Sequence, residues 1–81
     1  MAQPLETWTD ATQLGAAIKA ERLAQGMRQE DLAFAAGVSR IHLGQLEAGK
    51  PTARLDGILA VTSALGLRLA LIRPTHSGGD A

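Results

Sequence analysis

The chain has 81 residues, a formal net charge of zero and no cysteine. This length allows one small domain, and the lack of cysteine excludes disulfides, thiol nucleophiles and thiolate metal sites. The balanced charge favours no particular partner and argues weakly against strong non-specific nucleic-acid binding. No apolar run is long enough for a membrane span, and the first residues lack a signal-peptide pattern, so we expect a cytoplasmic protein.

The first predicted helix follows an irregular lead-in, residues 1–9. It should begin at Asp10, which has capping-box spacing with Gln13, and should end before Gly26. Trp8, the only tryptophan, is expected to pack against this helix rather than to bind a ligand.

Three further helices are predicted before residue 66. One runs from about 29 to 36, one from a Ser39 cap to about 49, and one from about 54 to 65, where Thr52 is an alternative cap. The last helix carries an apolar stripe expected to face the core: Leu55, Ile58, Leu59, Thr62 and Leu65.

Residues 67–73 predict a β-strand. Leu67, Leu69 and Leu71 alternate with other residues, and Pro74 closes the run. No other part of residues 10–73 has a strand pattern, and a lone strand leaves its backbone groups unpaired. We therefore expect it to pair with the same segment of a second copy. Residues 74–81 are predicted to be a flexible tail.

Residues 29–48, QEDLAFAAGVSRIHLGQLEA, contain the most specific pattern. A small residue, Ala33, lies where two short helices would cross, and Gly37 occupies the turn between them. Apolar residues stand at the positions that such a pair must bury: Leu32, Ala36, Val38, Leu43 and Leu46. The segment resembles the helix-turn-helix of the Xre/Cro-type repressors. The resemblance implies an all-α, lambda-repressor-like bundle of about four helices, residues 10–66.

The resemblance also implies a DNA-binding surface. The third helix would lie in the major groove, where Arg40 suits guanine, Gln45 suits adenine and Ile41 suits a thymine methyl. Gly44 either permits close approach to DNA or is only a tolerated small residue. The remaining predicted contacts are Arg28, Gln29, Ser39, His42 and Lys50. For Lys50, and equally for Arg54, a solvated charge is as good an interpretation as a phosphate contact.

A buried ion pair is predicted between Arg22 and Glu47. Arg22 follows Leu14 and Ile18 on the apolar stripe of the first helix, and a buried guanidinium requires a carboxylate. Repressors of this family pair an arginine and a glutamate at the matching places.

The whole of residues 10–73 is similar to the HipB-type antitoxins, through KPTARLD before the fourth helix and ALGLRL before the strand. That resemblance implies a homodimer, paired through the terminal strands, that binds palindromic operator DNA and a HipA-like serine/threonine kinase toxin. Two alternatives stay open: a stand-alone Xre-type regulator, and a protein-binding adaptor that has lost DNA binding. The two histidines are far apart and no carboxylate pair converges with them, so we predict no enzyme, metal or cofactor.

Overall fold

Four helices account for most of residues 7–73, the part of the chain that the computed structural model describes. They are α1 (Ala11–Ala24), α2 (Gln29–Ala36), α3 (Arg40–Glu47) and α4 (Leu55–Ala64). α1 packs on α3, and α2 packs on both α3 and α4. The predicted all-α class and the order of the helices are confirmed. Within this range no helix is both long and apolar enough to cross a membrane.

The start of α1 is capped as the sequence predicts, with one difference. The Asp10 carboxylate accepts a hydrogen bond from the Gln13 backbone N–H at 2.8 Å. The Gln13 side chain reaches back to the Thr9 N–H, at 2.8 Å, rather than to that of Asp10. One unpaired amide of the helix, that of Gln13, and the amide of Thr9 before it are thus satisfied by a capping box displaced by one residue.

α2 and α4 have an arginine at the N-cap position, and their first turns are stabilised in different ways. At α2, the Asp31 carboxylate accepts from the Arg28 backbone N–H at 2.9 Å and also contacts the Arg28 guanidinium. At α4, the N-cap is Arg54, which provides no side-chain capping bond, and its guanidinium pairs with Asp56 at 3.2 Å. The alternative cap at Thr52 is therefore wrong.

The turn between α2 and α3 depends on Gly37. Its φ of 74° lies in the left-handed region, which side chains with a Cβ rarely adopt. The following N–H, of Val38, donates to the Ala33 carbonyl at 3.0 Å, so that the chain reverses directly off the end of α2. This closure sets the angle between α2 and α3.

The α1–α3 contact is close because two glycines lie in it. A Cβ at Gly15 would meet the Leu46 carbonyl oxygen and, at 2.7 Å, that of Glu47. A Cβ at Gly49 would meet Thr12 at 2.7 Å. The end of α3 is thereby seated on the backbone of α1, which brings Glu47 within reach of Arg22.

The core lies between all four helices, and α4 is turned relative to the prediction. Val61 and Leu65 are buried, whereas Leu55 and Leu59 are 65% and 47% exposed. The prediction is right for Thr62 and Leu65, which are buried, and for Ile58, which packs against the core. It is wrong for Leu55 and Leu59, because the buried face extends to Gly57 and Val61 instead. The buried apolar side chains are Leu14, Ile18, Leu32, Ala33, Leu43, Leu46, Val61 and Leu65.

The C-terminal segment leaves α4 through a Schellman-type turn, in which the Leu67 N–H donates to the Thr62 carbonyl at 2.9 Å. Residues 67–73 then form no helix and no β-ladder within the described range. Trp8 lines a cleft with this segment, is 39% exposed and lies outside the core cluster, and its packing against α1 stays a prediction. Pairing with a second copy stays a prediction, and the predicted tail, 74–81, and most of the lead-in lie outside the described residues.

Candidate nucleic-acid interface

The outer face of α3 carries the residues predicted to contact bases. Arg40, Ile41 and Gln45 are exposed, and Gly44 lies between them at intermediate exposure. Since an α-helix turns 100° per residue, positions 40, 41, 44 and 45 share one face, and 43, 46 and 47 share the opposite one. The buried face is the one that contacts α1, so α3 is fixed with its polar face outward.

The predicted ion pair lies beneath that face. Arg22 and Glu47 are 6% and 7% exposed. The guanidinium donates to both carboxylate oxygens, from Nε at 2.7 Å and from Nη2 at 3.0 Å. Its Nη1 donates to the Met27 carbonyl oxygen at 2.7 Å, which adds the α1–α2 connection to the pair. The hydrogen bonds to Glu47, helped by its charge, outweigh the effect of burial and raise the pKa of Arg22 above its usual value.

Gln29 connects this ion pair to the surface. Its side-chain Nε2 donates to Glu47 Oε1 at 3.1 Å. The same nitrogen lies 3.8 Å from where a Cβ on Gly44 would be, so the amide lies at the edge of the outer face of α3. The second N–H of this amide has no partner among the described residues. A donor at the first residue of a helix is well placed for a phosphate oxygen.

The cations near α3 fall into two classes. Arg28 pairs with Glu30 and Asp31, both at 3.3 Å, and Arg54 pairs with Asp56. The Arg28 N–H and guanidinium lower the pKa of Asp31, and the Arg54 guanidinium lowers the pKa of Asp56. These pairs are solvent-exposed, so a phosphate competes with the carboxylates for each guanidinium.

Arg40 and Lys50 form the second class. Both are exposed, and neither makes an ion pair within residues 7–73. Ser39 is exposed too, but its hydroxyl oxygen accepts the His42 backbone N–H at 2.9 Å as the cap of α3. Its hydroxyl proton stays available for a phosphate.

His42 is placed differently from the prediction, which set it beside the DNA-facing residues. Its ring packs on α4, where Nε2 lies 2.6 Å from the position a Cβ on Gly57 would take. That nitrogen is buried and has no hydrogen-bond partner within the described residues. The ring therefore contributes to the α3–α4 contact, with Nε2 turned away from the outer face of α3.

Sequence reasoning missed the inward position of His42 and the bond from Gln29 to Glu47. The inward position of His42 could have been predicted from the sequence, because position 42 lies about 200° around the helix from position 40 and so falls away from the exposed face. The second needs the distance between the start of α2 and the end of α3, which no local pattern gives.

A family model, the helix-turn-helix family HTH_3, matches residues 18–72. The chain belongs to this family. It is also 38% identical over 74 residues to the HTH-type transcriptional regulator y4mF of Sinorhizobium fredii, a match that covers 91% of this chain and 93% of the relative. The protein is thus a DNA-binding transcriptional regulator of the Xre type, as the twenty-residue motif indicates.

Solved structures of similar fold extend the comparison. The restriction-modification controller protein C.AhdI from Aeromonas hydrophila has a TM-score of 0.68 and 33% identity, over 75% of this regulator and 92% of that chain. The HipB chain of a HipB–O4 20mer complex has a TM-score of 0.80 at 23% identity, over 85% of this regulator and 97% of that chain. A HipA–HipB–O2–O3 complex gives a TM-score of 0.79, also at 23% identity. These structures share the fold of this regulator.

Proposed function

We propose that this regulator is a HipB-like antitoxin and autorepressor: a homodimer that binds a palindromic operator through α3 and also restrains a HipA-like kinase. The observation that carries the proposal is the outer face of α3. Arg40, Ile41, Gly44 and Gln45 lie together on it, and a buried ion pair fixes that face outward. The chemistry of these side chains fits direct reading of base edges.

The contacts divide into those that specify and those that position. Arg40 and Gln45 have side chains able to make paired hydrogen bonds to a base, and Ile41 offers an apolar contact. Gln29, Ser39 and Lys50 border the same face and suit phosphate oxygens, which fix orientation without reading sequence. The Arg28 guanidinium joins the second group when it leaves its exposed acidic partners.

Two substitutions separate these roles. Arg40→Ala should weaken binding at one base position by about 1–3 kcal/mol and relax specificity there, whereas Lys50→Ala should weaken all sequences alike and reduce the salt slope by about 1. Binding is measured on the promoter fragment of the regulator's own operon, at several salt concentrations. Lys19→Ala removes an exposed cation from α1 and is the matched control. Unchanged affinity and specificity for Arg40→Ala would contradict direct readout.

Geometry supports the proposed dimer as well as resemblance does. A palindromic operator needs two recognition helices about 34 Å apart, which one copy of α3 cannot supply. Residues 68–73 make no backbone hydrogen bond to another segment within the described range, so their edge is open for an isologous pairing. Sedimentation equilibrium of the full chain tests it. A monomer at the concentrations that saturate the operator would overturn the dimeric operator complex.

The kinase partner rests on the HipB likeness alone. Its test is co-expression with the kinase-type protein encoded beside the gene of this regulator, followed by co-purification and a phosphorylation assay. Inhibition of the kinase by an equimolar amount of the regulator is expected. A neighbouring gene without a kinase fold would refute the antitoxin assignment and leave the DNA-binding assignment intact.

A stand-alone transcriptional regulator is the second candidate. It is favoured by the two relatives of higher identity, C.AhdI and y4mF, which are named as a controller protein and a transcriptional regulator. Membership of the HTH_3 family and the likeness to a transcriptional regulator weigh against an adaptor without DNA binding, which would form no salt-dependent complex with the promoter fragment.

A further inference from the structure

We infer that Trp8 is part of the homodimer interface, where the cleft between Trp8 and the C-terminal segment receives residues 68–70 of a second copy. The inference rests on the dimer proposed above and names a contact outside the strand pairing. It assigns a role to the lead-in, which the helix-turn-helix itself does not require.

The cleft joins the two ends of the described chain. Thr7 and Trp8 line one side, and Ala70, Leu71 and Ile72 line the other. Its volume of about 240 Å³ is several times the roughly 30 Å³ of one water molecule, so it has room for a side chain. The lining is mainly apolar.

Several apolar side chains around this cleft are exposed to solvent together. Leu71 is fully exposed, and Trp8 and Ile72 are 39% and 54% exposed. Scattered exposed apolar residues are ordinary, but these are contiguous around one cleft and adjoin an unpaired backbone edge. A second strand would pair the backbone edge and cover the exposed apolar side chains, since it supplies backbone hydrogen bonds and apolar side chains together.

Two-fold symmetry, together with pairing of the whole predicted strand, determines which residues enter. Seven residues, 67–73, pair fully with their own copy when a two-fold axis passes beside Ala70, because 67 then lies opposite 73 and 69 opposite 71. The residues opposite 70–72 are 70–68 of the second copy. Trp8 lines one cleft with Ala70–Ile72 of its own chain, so this register would place it next to the axis and within reach of those partner residues.

The chain is suited to a direct test, because Trp8 is its only tryptophan and it has no tyrosine. Tryptophan emission is followed during dilution of the full chain, and the dimer fraction is measured in parallel by sedimentation. We expect the emission to shift to longer wavelength over the same concentration range in which the dimer dissociates. Emission that stays constant while the dimer dissociates would overturn the inference, as would a shift that depends on residues 1–6 and not on concentration.

Substitutions provide the second measurement. Trp8→Ala should weaken dimerisation by about tenfold or more, because the interface loses the side chain twice, and Trp8→Phe should retain most of the affinity. Phe34→Ala removes an exposed aromatic side chain from α2 and is the control. Helicity and melting temperature, measured on each variant, identify any that fail to fold.

The outcomes separate this inference from the proposed function. A dimer whose affinity changes less than twofold in Trp8→Ala, and which still binds the operator, would refute the contact and keep the repressor. A chain that is monomeric at every concentration would refute the contact and the dimer together.

Discussion

Replacing Glu47 with alanine should destabilise the regulator strongly. The substitution removes both carboxylate oxygens that receive the Arg22 guanidinium, at 2.7 and 3.0 Å. Arg22 keeps its bond to the Met27 carbonyl, but Nε and Nη2 lose their partners. Because both side chains are more than nine-tenths buried, water does not replace the lost bonds without opening the α1–α3 contact.

The magnitude follows from that burial. Breaking a buried ion pair from one side costs about 3–5 kcal/mol, since an uncompensated charge stays in the interior. Domains have roughly 0.05–0.15 kcal/mol of stability per residue, which for this length gives about 4–12 kcal/mol in total. The loss is therefore a large share of the whole. With about 4–8 °C per kcal/mol for a domain of this size, the melting temperature should fall by at least about 12 °C.

Urea unfolding followed by far-UV circular dichroism measures this loss. Glu30→Ala is the matched control, because Glu30 pairs with Arg28 at 3.3 Å in solvent and its removal should change stability little. The double variant Arg22→Met, Glu47→Leu should recover much of the loss, since apolar residues of similar volume need no charged partner. A loss below about 1 kcal/mol for Glu47→Ala would show that the pair is not desolvated, and the reasoning would fail.

Three further predictions follow from other contacts. Gly15→Ala should destabilise by about 1–3 kcal/mol, although alanine favours helix, because its Cβ would meet the carbonyls of α3. Gly44→Ala should instead stabilise the fold by up to about 1 kcal/mol, because the added Cβ has room there. The same variant should bind the operator more weakly if DNA approaches α3 closely at Gly44. Unfolding titrations and operator-binding titrations of both variants measure these effects. Asp31→Asn tests pH dependence. The Arg28 N–H and guanidinium lower the Asp31 pKa in the folded state, so the stability that they contribute is fully present above the unfolded pKa of about 3.9 and is lost as the pH falls from there through the lower folded pKa. The difference in unfolding free energy between wild type and Asp31→Asn should shrink as the pH falls below about 3.9, and a difference independent of pH would contradict this prediction.

The helix starts and the turn could be predicted from sequence because their causes are local. Asp10 and Ser39 each cap a helix through a backbone N–H three residues later, at 2.8 and 2.9 Å. Gly37 supplies the left-handed turn. Such bonds depend on a few consecutive residues, so the sequence contains all the information that they need.

The rotation of α4 and the position of His42 could not be predicted in the same way. α4 has apolar residues around most of its circumference, so the core-facing side is decided by its neighbours. The space at Gly57 accepts the His42 ring from α3, and the two residues are distant in sequence. Turning Gly57 and Val61 inward leaves Leu55 and Leu59 exposed. The orientation of α4 thus depends on how α3 and α4 fit together, and the apolar pattern of α4 alone does not predict it.

The amide of Gln29 belongs to two systems at once. One of its hydrogens is donated to Glu47 in the interior, and the nitrogen itself lies beside Gly44, at the edge of the face where we propose that DNA binds. A hydrogen bond from either hydrogen fixes the rotamer of the Gln29 side chain and so favours the bond from the other. Operator binding and stability against unfolding are therefore thermodynamically linked through this side chain. A thermal melt recorded with and without operator should consequently show a smaller DNA-induced rise in Gln29→Ala than in the wild type.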